Sequence, residues 1–313
     1  MQLAIHILLF ALGVALLYLG GEGLVTGSTR LARNLGVNTI VIGLTVVAFG
    51  TSTPEFVVSL FAAFKGSSDL VVGNIVGSNI SNIGLILGIS ALICPVMIQI
   101  KILKAEVPIM IILSLLTYFT AFNLRIGIYE GILLFTTSPA FIIYAYFGAL
   151  KEPSTLETEF REFIGTDHFM IKNAIFIILG LLGLIIGARF IVNSAIFIAS
   201  AFGVSELVIG VSAVAIGTSL PELSTSMVAA YRKEHDIVVG NIIGSNIFNI
   251  GILGIVSVIR PTKVNPDILR FELPVMLLFA LAALPIMKTG SRISRIEGIM
   301  LLVFYMLFIV LLF

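Results

Sequence analysis

The sequence predicts an all-α integral membrane protein whose ten transmembrane helices form two inverted-topology repeats of five. Three observations lead to this prediction. Hydrophobic residues make up 58% of the 313-residue chain, charged residues make up only 11%, and a long segment of the first half recurs in the second. Since a soluble domain carries about 25% charged residues, a chain this apolar requires lipid around much of its surface.

Apolar windows of the length that spans a bilayer, about 20 residues, occur ten times. They lie near residues 3–20, 38–64, 69–93, 105–122, 127–148, 170–190, 205–231, 236–258, 268–286 and 294–313. The first window follows no basic residue and precedes no small-residue cleavage pattern, so we interpret it as a retained helix and not as a signal peptide. A polar linker, 151–168, separates a first repeat (1–150) from a second (169–313) within one membrane domain.

The duplication is gapless over residues 12–83 and 179–250, where nearly half of the positions are identical. GTSTPE at 50–55 matches GTSLPE at 217–222, and DLVVGNIVGSNISNIG at 69–84 matches DIVVGNIIGSNIFNIG at 236–251. Matching residues are separated by a constant displacement along the chain, the repeat offset. Because each half holds five predicted helices, an odd number, the second half enters the membrane from the opposite side. Repeats of this kind place binding sites near the midplane, on interrupted helices.

The distribution of basic residues predicts the orientation of the chain. With both termini outside, twelve of the 18 Lys and Arg residues fall on the cytoplasmic side, where basic residues accumulate. We therefore expect a multi-pass protein of the cell membrane with extracellular N- and C-termini.

A carboxylate stands within an apolar run in each half. An ionised carboxylate at membrane depth requires compensation, yet no basic residue lies within eight positions of Glu55 or Glu222. Pro54 lacks an N–H and clashes with the carbonyl four residues back, so we expect the helix to kink or open between Gly50 and Pro54. Opening would free carbonyl oxygens near residues 47–50 to line a cavity.

Neutral oxygens surround each carboxylate in the sequence. Carbonyl, hydroxyl and carboxylate oxygens are the ligands that hard cations such as Ca²⁺ and Na⁺ prefer. Thr51 and Ser52 lie within about one turn of Glu55, and Asn74, Ser78 and Asn82 share one face of the next helix. The second copy supplies Thr218, Ser219, Glu222, Asn241, Ser245 and Asn249.

Each of these residue types alone also has a structural interpretation. Hydroxyl groups bond to their own helix backbone, asparagines join helices, glycines pack, and a lone membrane glutamate can carry a proton. The joint pattern of a carboxylate, two hydroxyls and a proline, duplicated at the repeat offset, favours cation binding by Glu55 and Glu222.

The sequence disfavours several other classes of function. The net charge of +1 disfavours nucleic-acid binding, and no nucleophile elbow or phosphate-binding loop occurs, so we predict no enzyme activity. Glu130 and Glu297 are placed at helix starts, and the nine Met residues in lipid-facing runs. The single cysteine, Cys94, is placed as a small apolar filler.

The two motif pairs resemble the alpha repeats of the Ca²⁺/cation antiporter superfamily, most closely the sodium/calcium exchanger branch in its short prokaryotic form. The resemblance covers the whole chain. It implies a secondary active antiporter that exchanges Na⁺ for Ca²⁺ by alternating access, with Glu55 and Glu222 as shared Ca²⁺ ligands. It implies Na⁺ and Ca²⁺ as transported substrates, no cofactor and no obligate protein partner. The further metal ligands that it implies are Ala48, Thr51, Ser52, Ser78, Asn82, Ala215, Thr218, Ser219, Ser245 and Asn249. Some relatives have Asp at the position of Asn249.

Three other functions are open from the sequence. A Ca²⁺/H⁺ antiporter of the same superfamily would use both glutamates as proton carriers, although GTSTPE departs from that branch. A channel or sensor would need no counter-ion. A hydrolytic membrane enzyme would need a nucleophile and a base, which the sequence does not supply.

Overall fold

The computed structural model describes residues 2–151, 167–201 and 206–312. Most of the predicted linker 151–168 lies outside these ranges. Within them, eight helices are long and apolar enough to cross a membrane, and a ninth span is added if one bent helix pair counts as a single span. The helix that contains Glu222 occupies the position of the seventh predicted span. The count of ten and the inverted topology stay predictions.

The first half consists of nine α-helices with two π-helical turns and two short strands. In chain order the elements are α1 (Gln2–Leu35), α2 (Thr39–Ile42), a π turn (Gly43–Val47), α3 (Ala48–Thr51), α4 (Thr53–Lys65), α5 (Ser68–Ser81), a second π turn (Asn82–Ile86), α6 (Leu87–Ile93), β1 (Val96–Met97), α7 (Ile100–Lys104), α8 (Glu106–Thr120), β2 (Arg125–Ile126) and α9 (Ile128–Lys151).

The second half uses longer, less interrupted helices. Its elements are α10 (Asp167–Ala201), α11 (Glu206–Tyr231), α12 (His235–Ile259), β3 (Thr262–Lys263), a π turn (Ile268–Glu272), α13 (Leu273–Lys288), a 3-10 turn (Thr289–Ser291), β4 (Arg292–Ile293) and α14 (Arg295–Leu312).

The predicted kink before Glu55 is confirmed. The helix bends by 41° between α3 and α4, and Ser52 leaves helical geometry there with φ −79° and ψ 3°. Pro54 lies in the first turn of α4, where its missing N–H costs no intrahelical bond. The matching Pro221 lies inside α11, which continues without a break to Tyr231.

The core lies around α5 and α12. Within the span of α5 and α6, and within α12, 78% of the apolar window is buried, compared with 17% for α1 and α14. Helix α12 packs against α2, α3 and α4 on one side and against α9 on another, whereas α14 packs against α6. The motif-bearing helices are therefore the interior of the bundle, and the apolar outer helices face its surroundings.

Short strands join the two halves in two places. Antiparallel pairing places Val96 of β1 opposite Ile293 of β4, and Ile126 of β2 opposite Thr262 of β3. The two pairs are equivalent, because β3 and β4 occupy, to within one residue, the positions of β1 and β2 in the second copy of the repeat. Each half thus contributes one strand to each connection.

Helices α1 and α10 extend well beyond the predicted ranges 3–20 and 170–190. The first prediction was wrong because Glu22 was taken to lie beyond the end of the apolar helix. In the structure Glu22 forms an ion pair with Arg232, and Tyr18 donates a hydrogen bond to it at 3.3 Å. A paired carboxylate is tolerated within the helix, which continues to Leu35.

Glycines bring the backbones of α1 and α10 into direct contact. A Cβ on Gly20 would lie 2.8 Å from the Gly180 carbonyl oxygen, and one on Gly13 would lie 2.9 Å from that of Gly187. Gly180 and Gly187 stand at the positions of Gly13 and Gly20 in the duplicated segment. The two helices therefore form an antiparallel pair that uses the same two glycines from each half.

We expect Gly180→Ala to destabilise the protein, since its Cβ would lie 2.6 Å from the Leu24 amide nitrogen, a backbone atom that cannot move aside. Overpacking of this kind costs roughly 1–3 kcal/mol. Gly183→Ala is the matched control, because its Cβ would approach no atom closer than 3.3 Å. Thermal unfolding in detergent should show a clear drop in Tm for the first variant only. Equal Tm values would contradict the assigned packing.

Candidate cation-binding site

Glu55 and Glu222 lie in the interior, with side-chain exposures of 0% and 1%. The first turn of α4 carries Glu55, whereas Glu222 follows Pro221 in the middle of α11. The two glutamates are neighbours across the halves, because Ser52, three residues before Glu55, donates a hydrogen bond to the Glu222 carboxylate. The remaining predicted ligands with described side chains are buried as well, namely Ala48, Thr51, Ser52, Ser78, Asn82, Thr218, Ser219, Ser245 and Asn249.

Ala215 is the one predicted ligand whose surroundings are outside the described part of the chain. It belongs to α11, but the structure does not describe the surroundings of its side chain.

The Glu55 carboxylate is left without a hydrogen-bond partner among the described residues. No group in the described part of the chain donates a hydrogen bond to either of its oxygens, or to Oε2 of Glu222. Thr218 and Ser78 are the hydroxyl residues that face Glu55. Since a buried acceptor without a donor is costly, and a charged one more so, this arrangement is suited to a bound cation.

One asparagine holds the backbone at each glutamate. Asn74 Nδ2 donates to the Glu55 carbonyl oxygen at 3.2 Å and to Ser59 Oγ at 3.0 Å. In the second half, Asn241 Nδ2 donates to the Glu222 carbonyl oxygen at 3.3 Å and to Ser226 Oγ at 3.0 Å. The amides therefore fix the main chain of both glutamates while leaving the carboxylates available.

The same asparagines also accept hydrogen bonds from the opposite half. Thr51 Oγ1 donates to Asn241 Oδ1 at 3.0 Å, and Thr218 Oγ1 donates to Asn74 Oδ1 at 3.2 Å. The two contacts are related by the repeat offset with the halves exchanged. Each threonine predicted from the motif is thus tied to the helix that follows the other glutamate.

The serines show the first difference between the halves. Ser52 Oγ donates to Glu222 Oε1 at 3.2 Å, whereas Ser219 Oγ lies 3.4 Å from Ser78 Oγ and donates to it. Ser245 Oγ is buried without a partner among the described residues.

The bend before Glu55 frees fewer carbonyls than the sequence suggests. The Ala48 carbonyl oxygen accepts from Ser52 N at 3.0 Å and from Thr51 Oγ1 at 3.3 Å. The Phe49 carbonyl oxygen accepts from Thr53 Oγ1 at 3.1 Å. A cation at the Ala48 carbonyl would therefore replace the Thr51 hydrogen bond.

Four asparagines meet at the centre of the bundle. Asn82 Nδ2 donates to Asn246 Oδ1 at 3.1 Å, and Asn249 Nδ2 donates to Asn79 Oδ1 at 3.0 Å. Asn82 also begins a π-helical turn, a distortion that is common at functional sites. Both Asn82 Oδ1 and Asn249 Oδ1 are buried and accept no hydrogen bond from the described residues.

Four residues that take part in these hydrogen bonds were not predicted from the sequence, namely Ser59, Asn79, Ser226 and Asn246. The signal was present, because Ser59 and Asn79 recur as Ser226 and Asn246 at the repeat offset. They lie outside the proline motif and off the helix face from which the ligands were predicted. Within the described residues, no three His, Cys, Asp or Glu side chains gather, so neutral oxygens supply most of the potential ligands.

Known proteins with similar sequences include exchangers and an antiporter. The sequence profile of the sodium/calcium exchanger protein family matches residues 5–147 and 172–313. The putative antiporter CaxA of Alkalimonas amylolytica is 36% identical over 296 residues, which cover 93% of each chain. The sodium/calcium exchanger MaX1 of Methanosarcina acetivorans is 34% identical, over 100% of this chain and 99% of that protein.

A solved structure of the sodium-calcium exchanger NCX_Mj has a similar fold. The TM-score is 0.86 at 33% sequence identity, and the match covers 98% of this chain and 99% of the other. The family and this structure are membrane exchangers and not enzymes. The multi-pass membrane character expected from the sequence is supported in the same way.

Asn241→Leu should destabilise the protein strongly, because it leaves Thr51 Oγ1, Ser226 Oγ and the Glu222 carbonyl without their partner. Buried groups that lose a partner cost roughly 1–3 kcal/mol each. Ser226→Ala removes one of these contacts and should cost about 1 kcal/mol. Thermal unfolding in detergent measures both. A Tm for Asn241→Leu no lower than that of Ser226→Ala would refute the bridging role.

Proposed function

Because the chain belongs to the sodium/calcium exchanger family, we propose that it exchanges Na⁺ for Ca²⁺ across the membrane, with Glu55 and Glu222 as ligands of the transported cation. The observation that carries the proposal is the burial of two carboxylates, three of whose four oxygens lack a hydrogen-bond donor among the described residues. A desolvated carboxylate is stable only when a cation or a proton neutralises it.

The neutral residues around the glutamates complete the proposed site. The first half would contribute Thr51, Ser52 and Ser78, and the second half would contribute Thr218, Ser219 and Ser245, with Asn82 and Asn249 at the centre. Ala48 and Ala215 would contribute carbonyl oxygens. Oxygen ligands of these kinds, with two carboxylates, are typical of Ca²⁺ and Na⁺ sites.

The charge of the site supports exchange of unequal charge. Two ionised glutamates are neutralised by one Ca²⁺, whereas three Na⁺ would leave one positive charge. An empty site would leave both carboxylates buried and unpaired, which costs at least a few kcal/mol. This penalty disfavours conversion of the unloaded carrier and thereby couples the two ion fluxes.

For alternating access we propose that the α1–α10 pair moves against the remaining helices. The glycine contacts join these two helices closely to each other, and each of them packs less extensively against α11 than against its partner. Ser224 Oγ donates to the Leu17 carbonyl oxygen at 2.8 Å, and Arg232 pairs with Glu22. We place both termini outside, as the basic residues predict.

The first test is radioactive Ca²⁺ uptake into Na⁺-loaded proteoliposomes diluted into Na⁺-free, K⁺-free buffer. We expect uptake that requires internal Na⁺ and falls to background in Glu55→Gln and Glu222→Gln. Glu130→Gln is the matched control, since Glu130 accepts from the Gly127 amide at 3.0 Å at the start of α9 and should transport as the wild type does.

Other outcomes distinguish the alternatives. Uptake that needs no Na⁺ and follows a pH gradient would identify a Ca²⁺/H⁺ antiporter with both glutamates as proton carriers. Ca²⁺ flux without any counter-ion would identify a channel. Either result would overturn the proposed exchange.

A crosslink tests the proposed motion. A Cβ on Gly21 would lie 3.3 Å from Ser224 Oγ, so Gly21→Cys with Ser224→Cys, in a Cys94→Ser background, brings two thiols together. We expect oxidation to stop Ca²⁺ uptake and reductant to restore it. The single-cysteine variants should be insensitive to oxidation. Full activity of the crosslinked protein would exclude movement of α1 against α11.

A further inference from the structure

Two methionine sulfurs lie against the central asparagines. Met110 Sδ lies 3.3 Å from Asn246 Nδ2, and Met276 Sδ lies 3.7 Å from Asn79 Nδ2. Both methionines are buried, with exposures of 0% and 1%. The expectation that the Met residues face lipid is therefore wrong for this pair.

Each of these contacts joins a methionine of one half to an asparagine of the other half. Met110 lies in α8 and Met276 in α13, and the related sequences KAEVP (104–108) and RFELP (270–274) overlap the starts of these helices. Aligning these two segments places the methionines at the same position. The alignment slips by one residue relative to the motif region, so the repeat offset does not reveal the match.

A thioether determines which end of an asparagine amide faces it. Methionine sulfur can accept a hydrogen bond but cannot donate one. The NH₂ end of Asn246 therefore faces Met110, and its Oδ1 faces the opposite way, where it accepts from Asn82 Nδ2 at 3.1 Å. With the amide reversed, its oxygen would face the sulfur and its NH₂ would face the Asn82 NH₂, two unfavourable contacts.

The orientation of Asn246 determines that of Asn82 in turn. Because Asn82 uses its NH₂ to donate to Asn246, its Oδ1 points away and is buried without a partner among the described residues. In the corresponding contacts with the halves exchanged, Met276 orients Asn79, whose Oδ1 accepts from Asn249 Nδ2 at 3.0 Å. Asn249 Oδ1 is therefore also buried without a partner among the described residues. Each series of contacts begins at a methionine sulfur and ends at a side-chain amide oxygen that accepts no hydrogen bond from the described residues.

We propose that Met110 and Met276 are positioning residues, which act through Asn246 and Asn79 to turn the amide oxygens of Asn82 and Asn249 toward the transported cation. A flipped amide would instead present an NH₂ group, whose partial positive charge repels a cation. The inference rests on the proposed function, because it requires a cation near Asn82 and Asn249.

The two methionines differ in importance. Asn79 Nδ2 also donates to the Asn246 carbonyl oxygen at 3.3 Å, so its orientation keeps one acceptor when Met276 is removed. For the Asn246 NH₂, Met110 is the acceptor that the structure provides. Loss of the Met110 sulfur should therefore disturb binding more than loss of the Met276 sulfur.

The test compares Met110→Leu, Met276→Leu and Met110→Gln, with Ca²⁺ binding measured by thermal stabilisation in detergent and Ca²⁺ KM and kcat measured in liposomes. Leucine keeps the volume but removes the acceptor, whereas glutamine has similar length and supplies an amide oxygen. We expect Met110→Leu to raise the Ca²⁺ Kd and KM by roughly fivefold, a factor within the range for one hydrogen bond and below its upper end because a thioether is a weak acceptor. We expect Met276→Leu to raise them by about twofold, and Met110→Gln to stay near wild type, with kcat little changed.

A double variant separates positioning from packing. In an Asn82→Ala background there is no Asn82 amide to orient, so Met110→Leu should weaken Ca²⁺ binding no further. Additive effects would overturn the proposal. It would also be overturned by equal effects of the two leucine variants, by an unchanged Kd in Met110→Leu, or by failure of Met110→Gln to restore binding.

The experiments distinguish failure of the proposed exchange from failure of the positioning role. Wild-type protein that binds Ca²⁺ but transports it without Na⁺ would refute sodium coupling and leave the positioning test intact. Wild-type protein that Ca²⁺ does not stabilise at all would refute the cation site, and the positioning role with it.

Discussion

The burial of two carboxylates without a basic neighbour in the sequence is the constraint on which the rest of the structure depends. The bundle answers it by holding each glutamate through its main chain, where Asn74 and Asn241 donate to the carbonyl oxygens of Glu55 and Glu222. Apart from Ser52, which donates to Glu222 Oε1, the described residues aim no donor at the carboxylates, and each further donor would neutralise part of the site's attraction for a cation. A lysine or arginine paired with the carboxylates would remove this attraction altogether. Neutral amides and hydroxyls keep the fold connected while the negative charge stays available.

The same neutral groups suit a site that must release what it binds. A hydroxyl can rotate between an internal acceptor and a cation, as Thr51 Oγ1 would when an ion takes its place at the Ala48 carbonyl. Its hydrogen bond to Asn241 Oδ1 is an alternative that exists in the structure. Exchange between such partners changes the number of hydrogen bonds little, so the energetic difference between loaded states is set mainly by the carboxylates and the ions.

The helical membrane class, the bend at Pro54 and a set of polar residues that are buried around two glutamates could be predicted from the sequence, because the duplication doubles every signal. Sequence reasoning failed where a side chain acts through a contact that periodicity does not encode. Glu22 was taken to lie beyond the end of a helix, since its partner Arg232 belongs to the other half of the chain. Met110 and Met276 were assigned to lipid because hydrophobic residues look alike in a pattern. Which end of Asn246 faces a neighbour depends on the atom opposite it, and this is a property of the packed core.

Several contacts between the halves recur at the repeat offset with the halves exchanged. The two halves nevertheless differ in sequence, and these differences have physical consequences. If the two halves were identical and exchanged conformations, the two resulting states of the carrier would have equal free energy. Each difference in sequence removes that degeneracy. At the repeat offset, the attractive pair Glu22 and Arg232 corresponds to Arg189 and Lys65, two residues of like charge. Similarly, Ser52 donates to a carboxylate where Ser219 donates to a serine. In the proposed exchanger, residues outside the ion ligands would therefore set the balance between the two states, whereas the shared motif would determine which ions bind.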